Sequence, residues 1–342
     1  MNQSVKLNNI SIDYTTIGAY AYLSVVPFCS IGLLANLMIL YILTSDKYFA
    51  KATYCLIRMT VLCDFICNIS SIIGYILMTR SKMNYDIGAT FCRLLAFIIV
   101  STYGVSMMNL CMISIDRYFA IVKPLSSFYR SYKKKLMRIG QLIAWIVVLA
   151  MSSPLIVIVD VYPDETSFCD LPQITTYISA YIYASSIILY CLPTVMLVAV
   201  YFRIMQHQRS YVQPGQISNF QIERNRFKRK KLMKMLIIIT STYTITTWPY
   251  LSTGFGIATT QKSLRQIRGI NFIYYTFVLI SFMATIAISV INPLIYFKYD
   301  HNIRNRFTTI LVRWRMLCLN SKVTRMISSR TTNDIILPDI TV

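Results

Sequence analysis

The sequence predicts an all-α membrane protein: a seven-transmembrane helix bundle plus a short amphipathic cytoplasmic helix. Three observations carry that prediction. Of the 342 residues, 56% are hydrophobic and only 14% are charged. A soluble domain carries about 25% charged residues, so this chain has too little polar material to cover a water-exposed surface. The apolar residues gather into seven runs, each long enough to supply the roughly 20 residues that a bilayer-crossing helix needs. Lys and Arg gather in the gaps on one side, with 2 in Asp46–Thr53, 6 in Phe119–Arg138, 9 in Arg203–Lys234 and 8 in Lys298–Val342. The other side holds only Lys6, Arg80, Lys82, Arg93, Lys262, Arg265 and Arg268, the asymmetry that marks cytoplasmic loops.

The expected spans, in order, are Tyr20–Leu43, Thr53–Met78, Ala89–Val122, Leu136–Val159, Tyr177–Met205, Lys230–Ala258 and Ile270–Phe297. The third and sixth exceed the bilayer and would tilt or project into the cytoplasm. The division that follows is an extracellular N-terminal tail over 1–19, a membrane domain over 20–297, a membrane-surface helix over 298–316 and a cytoplasmic tail over 317–342. The first run follows a polar segment and is longer than a signal-peptide core. In 298–316, Ile303, Phe307, Ile310 and Leu311 alternate at helical spacing with Arg304, Arg306, Arg313 and Arg315. That pattern suits a helix lying on the inner membrane surface. Cys318 beyond it is a palmitoylation candidate, with an unmodified thiol the alternative. The tail carries two glycosylation tripeptides, at Asn2 and Asn9; a third, at Asn68, lies in an apolar run and is expected to stay unmodified.

The net charge of +21 would suit a nucleic-acid partner if it formed one patch. Its confinement to loops on one side points instead to anionic membrane lipids and cytosolic partners. Seven of the nine cysteines fall in apolar runs or on the cytoplasmic side and are expected reduced. Cys92 and Cys169 map to the outer side, and one pair in an oxidising compartment reads as one disulfide. His207 and His301 both lie on the cytoplasmic side, and no metal-ligand cluster or nucleophile–base pair is apparent, so neither an enzyme nor a resident cofactor is expected. A transporter or channel is the alternative membrane function. Against it stand the single deep acidic residue, Asp64, and the lack of paired inverted halves.

Certain residues recur at telling places along the runs. Asn36 stands in the first and Asp64 in the second. Cys92 opens the third, and Asp116-Arg117-Tyr118 closes it. Pro124-Leu125 follows. Trp145 and Pro154 mark the fourth, Pro193 and Tyr201 the fifth, Pro249 the sixth, and Asn292-Pro293-Leu294-Ile295-Tyr296 the seventh. In this order the chain resembles the rhodopsin-like (class A) G-protein-coupled receptors over essentially every span, with a peptide receptor the favoured kind. A proline inside a helix deletes a backbone hydrogen bond and kinks the rod, so Pro193, Pro249 and Pro293 mark rods whose inner ends can swing.

The resemblance implies a protein of the plasma membrane, N-terminus outside, that passes an extracellular signal to heterotrimeric G proteins, with arrestin a further partner. It implies that Arg117, partly neutralised by Asp116 at rest, is released on activation while Tyr201 and Tyr296 swing beside it. It implies that Asn36, Ser106, Ser289 and Asn292 surround Asp64, where a sodium ion with ordered water would favour the inactive form. A protonated Asp64 in a buried hydrogen-bond network is the alternative. It implies the Cys92–Cys169 bridge, pinning the loop before the fifth span over the cavity.

The chain also departs from the family. Where an aromatic toggle usually stands before the sixth-span proline, the run is Tyr243-Thr244-Ile245-Thr246-Thr247-Trp248-Pro249. Thr247 takes the toggle position, and Trp248, one residue on, is turned about 100° around the helix toward a neighbour or lipid. Arg229 stands where some members place an acidic partner for Arg117, so that lock is not expected. Ile99 replaces the aspartate of amine receptors, and the seventh span has no lysine for retinal. Acidic residues after the fourth span, including Asp170, face Lys262, Arg265 and Arg268 before the seventh. Opposed charged rims would suit a short peptide, with Tyr103, Tyr250, Tyr274, Tyr275 and Phe282 as aromatic cavity contacts.

Overall fold

A computed structural model describes residues 14–79, 83–210, 219–313 and 316, with side chains for 23–79, 83–127, 129–207, 234–271, 273–313 and 316. The helices are α1 (Tyr14–Ser45), α2 (Ala52–Met78), α3 (Tyr85–Ile121), α4 (Ser127–Ser152), α5 (Leu155–Ile158), α6 (Thr176–Ser186), α7 (Leu192–Ser210), α8 (Asn219–Thr260), α9 (Leu264–Ile270) and α10 (Phe272–Tyr299). A final helix, α11, covers 301–313. α6 runs into α7 through one π-helical turn, Ile187–Cys191, which takes up the backbone disruption ahead of Pro193. The sequons at Asn2 and Asn9 and the thiol of Cys318 lie outside the described residues, as does the side chain of Arg229.

Among the described residues six helical segments are long and apolar enough to cross a bilayer. The seventh crossing of the bundle is α8, whose membrane half is rich in Thr and Ser. Its hydroxyls are turned inward on their own helix: Thr242, Thr244 and Thr246 donate to the carbonyls of Ile238, Thr240 and Thr242 at 2.9, 3.0 and 2.7 Å. Such back-bonding lets a low-hydropathy helix sit in an apolar medium. α3 has 37 residues, about 55 Å at 1.5 Å per residue, and is buried along most of its length as the central strut.

Three features differ from expectation. α1 begins at Tyr14, inside the stretch assigned to the tail. α8 begins at Asn219 and so absorbs much of the basic gap. The fold is not purely helical: β1 (Asp160–Tyr162) and β2 (Glu165–Asp170) form an antiparallel hairpin. The polar turn Pro163-Asp164 and β-prone Val161, Tyr162, Thr166 and Phe168 favour it, and the bridge between Cys92 and Cys169 ties it to α3. A Cβ at Gly88 would lie 2.3 Å from the carbonyl of Thr166, so only glycine lets the hairpin lie directly on the start of α3.

Pro293 explains how three helices meet. It has no N–H, so the carbonyl four residues back, on Ser289, has no helical donor. Asn36 Nδ2 of α1 donates to that oxygen at 2.8 Å, and Asn68 Nδ2 of α2 at 3.4 Å. At the far end of α10, Asp300 stops the helix and starts α11, its carboxylate accepting from the backbone of Asn302 at 2.8 Å and Ile303 at 3.1 Å. Burial raises the Asp300 carboxyl above its ordinary value against the pull of those donors. Ile303 is buried, and Phe307 and Ile310 pack on the core, while Leu311 remains exposed on the same helix.

Candidate functional site

At the hairpin end the helices enclose a cavity of about 310 Å³. Of the residues expected there, Ile99, Tyr103, Asp170, Tyr250 and Phe282 line it. Sequence reasoning missed Tyr190, whose ring sits 5.2 Å from Tyr103 and 5.7 Å from Tyr250. Phe282 follows at 5.6 Å from Tyr250. Two expected contacts fail. Tyr274 is 66% exposed and points outward, away from the cavity. Tyr275 is buried beneath the hairpin, its ring 6.3 Å from Phe168. The two are one residue apart on a helix, so they cannot share a face.

The carboxylates of the rim are not open to a ligand, because each is already engaged, and of the basic residues Arg265 and Arg268 are committed to them. Arg265 forks onto Asp164 at 2.8 and 2.5 Å, Arg268 onto Glu165 at 2.8 and 2.6 Å, and Arg93 meets Asp160 at 2.9 Å. Hydrogen bonding to Arg265 holds the Asp164 carboxyl below its ordinary value, and Glu165 holds the Arg268 guanidinium above its own. Asp170 borders the cavity, but its acceptor sites are taken. Oδ1 accepts from Leu171 N at 2.7 Å and Leu264 N at 2.9 Å, and Oδ2 from Arg265 N and Tyr162 Oη, both at 2.9 Å. The hairpin is thereby stapled to α9 as a lid. Arg268→Ala should loosen that lid, because it removes a bidentate pair that is mostly shielded from water. We expect faster hydrogen exchange across 160–170 and ligand on- and off-rates raised together; an unchanged exchange profile would count against the lid.

Below the cavity lies a polar core. Tyr103 and Thr247, both buried, share a hydrogen bond. Tyr243, one turn further in, sets its ring at a tilt with the centroid 5.5 Å from that of Tyr103 and accepts from Asn292 Nδ2 at 3.0 Å. The same amide nitrogen donates to Asp64 Oδ2 at 2.9 Å. Cavity floor, α8, α10 and α2 are thus joined in one chain of contacts. Of the groups expected around Asp64, only Asn292 bonds to it directly. Asn36 is turned to the carbonyls of Gly32 and Ser289, and Ser289 Oγ to that of Ile286; the carbonyl freed by Pro293 draws the first of these away. Ser106 Oγ, Asn292 Oδ1 and Asn36 Oδ1 are buried oxygens without a hydrogen bond among the described residues. Trp248 is 69% exposed on the lipid side, in keeping with its one-residue shift. Pro249 lies beside it within α8.

At the opposite end the buried Asp116 carboxylate gathers Tyr129 Oη at 2.7 Å, Lys133 Nζ at 2.5 Å, Thr53 Oγ1 at 2.9 Å and Arg117 at 2.8 Å. Thr53 also accepts from Arg117. Thr53, Tyr129 and Lys133 come from α2 and α4 and gave no sequence signal beyond lying at the same membrane edge. The arginine is held by α2 and α3, with no acidic partner on α8 among the described residues. Tyr118 packs on the core, its ring 5.6 Å from Phe119. Tyr201 and Tyr296 bury their hydroxyls without a hydrogen bond among the described residues, which costs free energy in this arrangement. Thr53→Val removes one tether of Arg117, worth about 1 kcal/mol. It should raise agonist-independent nucleotide exchange about fivefold, read by GTP-analogue binding; no rise would exclude the tether.

A bundle with a lidded cavity at one end and a restrained arginine at the other defines a seven-helix membrane receptor. The chain matches the family described as 7 transmembrane receptor (rhodopsin family) over residues 35–296, and it belongs to that family. It is 25% identical over 312 residues to neuropeptide Y receptor type 2 of Cavia porcellus, covering 86% of this chain and 78% of the relative. The Homo sapiens form of that receptor matches with the same identity and shares. It is also 25% identical over 289 residues to the neuromedin-K receptor of Homo sapiens, covering 83% of this chain and 60% of the relative.

Proposed function

We propose that this receptor carries the signal of an extracellular neuropeptide to heterotrimeric G proteins, with its N-terminus outside. The observation that carries the reading is the continuous contact chain from the cavity floor through Tyr103, Thr247, Tyr243 and Asn292 to Asp64. Relatives named for neuropeptide Y and neuromedin K support a peptide. Because the rim carboxylates are already engaged, the cavity would accept an aromatic or aliphatic end of that peptide rather than a basic one, with the hairpin opening to admit it. The basic inner face would meet the G protein, and arrestin and anionic lipids at other times. In the coupled form Arg117 would leave Asp116 and the buried hydroxyls of Tyr201 and Tyr296 would take new partners. Screening a neuropeptide library against the protein with a promiscuous G-protein reporter tests the reading; solute or ion flux in liposomes without nucleotide exchange would overturn it.

Sodium is proposed beside Asp64. The donor chemistry fits: one carboxylate and the unsatisfied oxygens of Ser106 and Asn292 suit a hard monovalent cation. The ion would supply charge compensation and favour the resting form. Asp64→Asn should abolish the sodium sensitivity of agonist affinity; equal sensitivity in the variant refutes the site.

A further inference from the structure

Between the hairpin-end halves of α8 and α10 lies a second hollow, an apolar groove of about 710 Å³ on the outside of the bundle. Its walls include Gly256, Ile267, Ile270, Ile273, Tyr274 and Phe277. Ile273, Tyr274 and Phe277 are exposed large side chains on α10, and on a membrane-crossing helix the medium that covers them is lipid; Ile270, at the end of α9, is exposed beside them. Along α8 the groove runs from Ser252 to Thr260, about 12 Å of helix. Its floor is thin. Thr253 and Ile257 line both the groove and the internal cavity, and Thr253 Oγ1 meets Ser281 Oγ at 3.3 Å across the two helices.

The upper end of the groove is charged on one side only. Lys262 borders it, is exposed, and makes no ion pair among the described residues. No acidic side chain lines the groove. Its basic neighbours Arg265 and Arg268 are already committed to Asp164 and Glu165. Tyr274 lines the same groove, an aromatic ring of the kind that anchors membrane interfaces.

We propose that this groove binds one acyl chain of a bilayer phospholipid whose acidic headgroup pairs with Lys262. Chain and headgroup are recognised by separate parts of the site: Gly256 leaves the room for the chain, and Lys262 selects the charge. Bound there, the lipid lies against the wall of the cavity, separated from its interior by Thr253 and Ile257. The site needs only the bundle, not the peptide or G-protein reading above.

The test uses the full chain in phosphatidylcholine nanodiscs carrying a trace of photoactivatable phosphatidic acid, or of photoactivatable phosphatidylcholine, with no agonist or G protein. Crosslinked peptides are mapped by mass spectrometry. We expect labels concentrated in 252–260 and 270–278, with phosphatidic acid favoured over phosphatidylcholine. Nothing lies within 4 Å of a Cβ at the exposed Gly256, so a side chain can start there without a clash, and Gly256→Trp should occupy the groove and cut the label roughly tenfold. Gly256→Leu should give a smaller loss. Lys262→Gln should keep the label and lose the headgroup preference. Val195→Trp, on an exposed face of α7, should change neither. Even labelling around the bundle, labelling indifferent to both Gly256 variants, a headgroup preference that survives Lys262→Gln, or chain-to-chain crosslinks at the groove would each overturn the proposal.

Discussion

Replacing Arg117 with alanine is expected to abolish agonist-driven nucleotide exchange while leaving surface expression normal. The two halves of that outcome have separate causes. Folding survives because the buried Asp116 carboxylate keeps Tyr129, Lys133 and Thr53 after the guanidinium is gone, so no unpaired charge is left in the interior, the usual source of a large loss. Signalling fails because a planar guanidinium presents a fork of donors that alanine cannot replace. Arg117 Nε is already buried without a partner among the described residues, a donor that a rearranged inner face can satisfy. Exchange on a purified G protein, normalised to receptor counted at the surface, is the measurement. Full coupling by the variant would show that the arginine is only a structural member of the Asp116 cluster.

The second expected result is a contrast within α8. Tyr243→Phe should raise basal exchange roughly five- to thirtyfold, and Trp248→Leu should leave it near the wild-type level. The tyrosine change removes one oxygen and keeps the ring against Tyr103. What is lost is the bond from Asn292 Nδ2 at 3.0 Å, which ties α8 to α10 in the resting arrangement. A buried hydrogen bond is worth about 1–2 kcal/mol, and that sets the range. Tyr243→Ala would be a poor test, since the cavity alone costs about 3–5 kcal/mol. Trp248 is large and lies next to Pro249, so sequence position alone marks it as important. Its side chain is on the lipid side, where leucine is as well solvated. A wild-type basal rate in Tyr243→Phe, or a collapse of signalling in Trp248→Leu, would return the toggle to the tryptophan.

The rods were legible because their signal is local. Solvation of an apolar side chain by lipid depends on that side chain alone, and a run of about 20 such residues declares itself whatever surrounds it. The one rod that fell short by composition, α8, did so because its Thr and Ser count as polar until their hydroxyls are seen bonded to their own helix. The cysteine bridge was legible by compartment. Tyr274 and Tyr275 were misjudged because the register of a helix end decides which of two neighbours faces inward, and apolar content does not report register when lipid and core are both apolar. The charged rim was misread for another reason. Asp164 and Arg265 were seen as two sides facing a ligand, and they are 101 residues apart; composition shows opposite charges without showing that they meet.

By itself the sequence determined the number of crossings, the placement of the prolines, the rotation of Trp248 off the toggle position and the class of protein, since each follows from runs, spacings and helical angle along one chain. Only the tertiary structure decided which donor answers which acceptor: Asn36 on the carbonyl that Pro293 frees, Thr53 and Lys133 on Asp116, Asn292 between Tyr243 and Asp64, the hairpin closed on α9. A hydrogen bond is lost within an ångström or so of misplacement, and its partners here lie on different helices. Their meeting is set by how the rods pack, which is a property of the bundle as a whole.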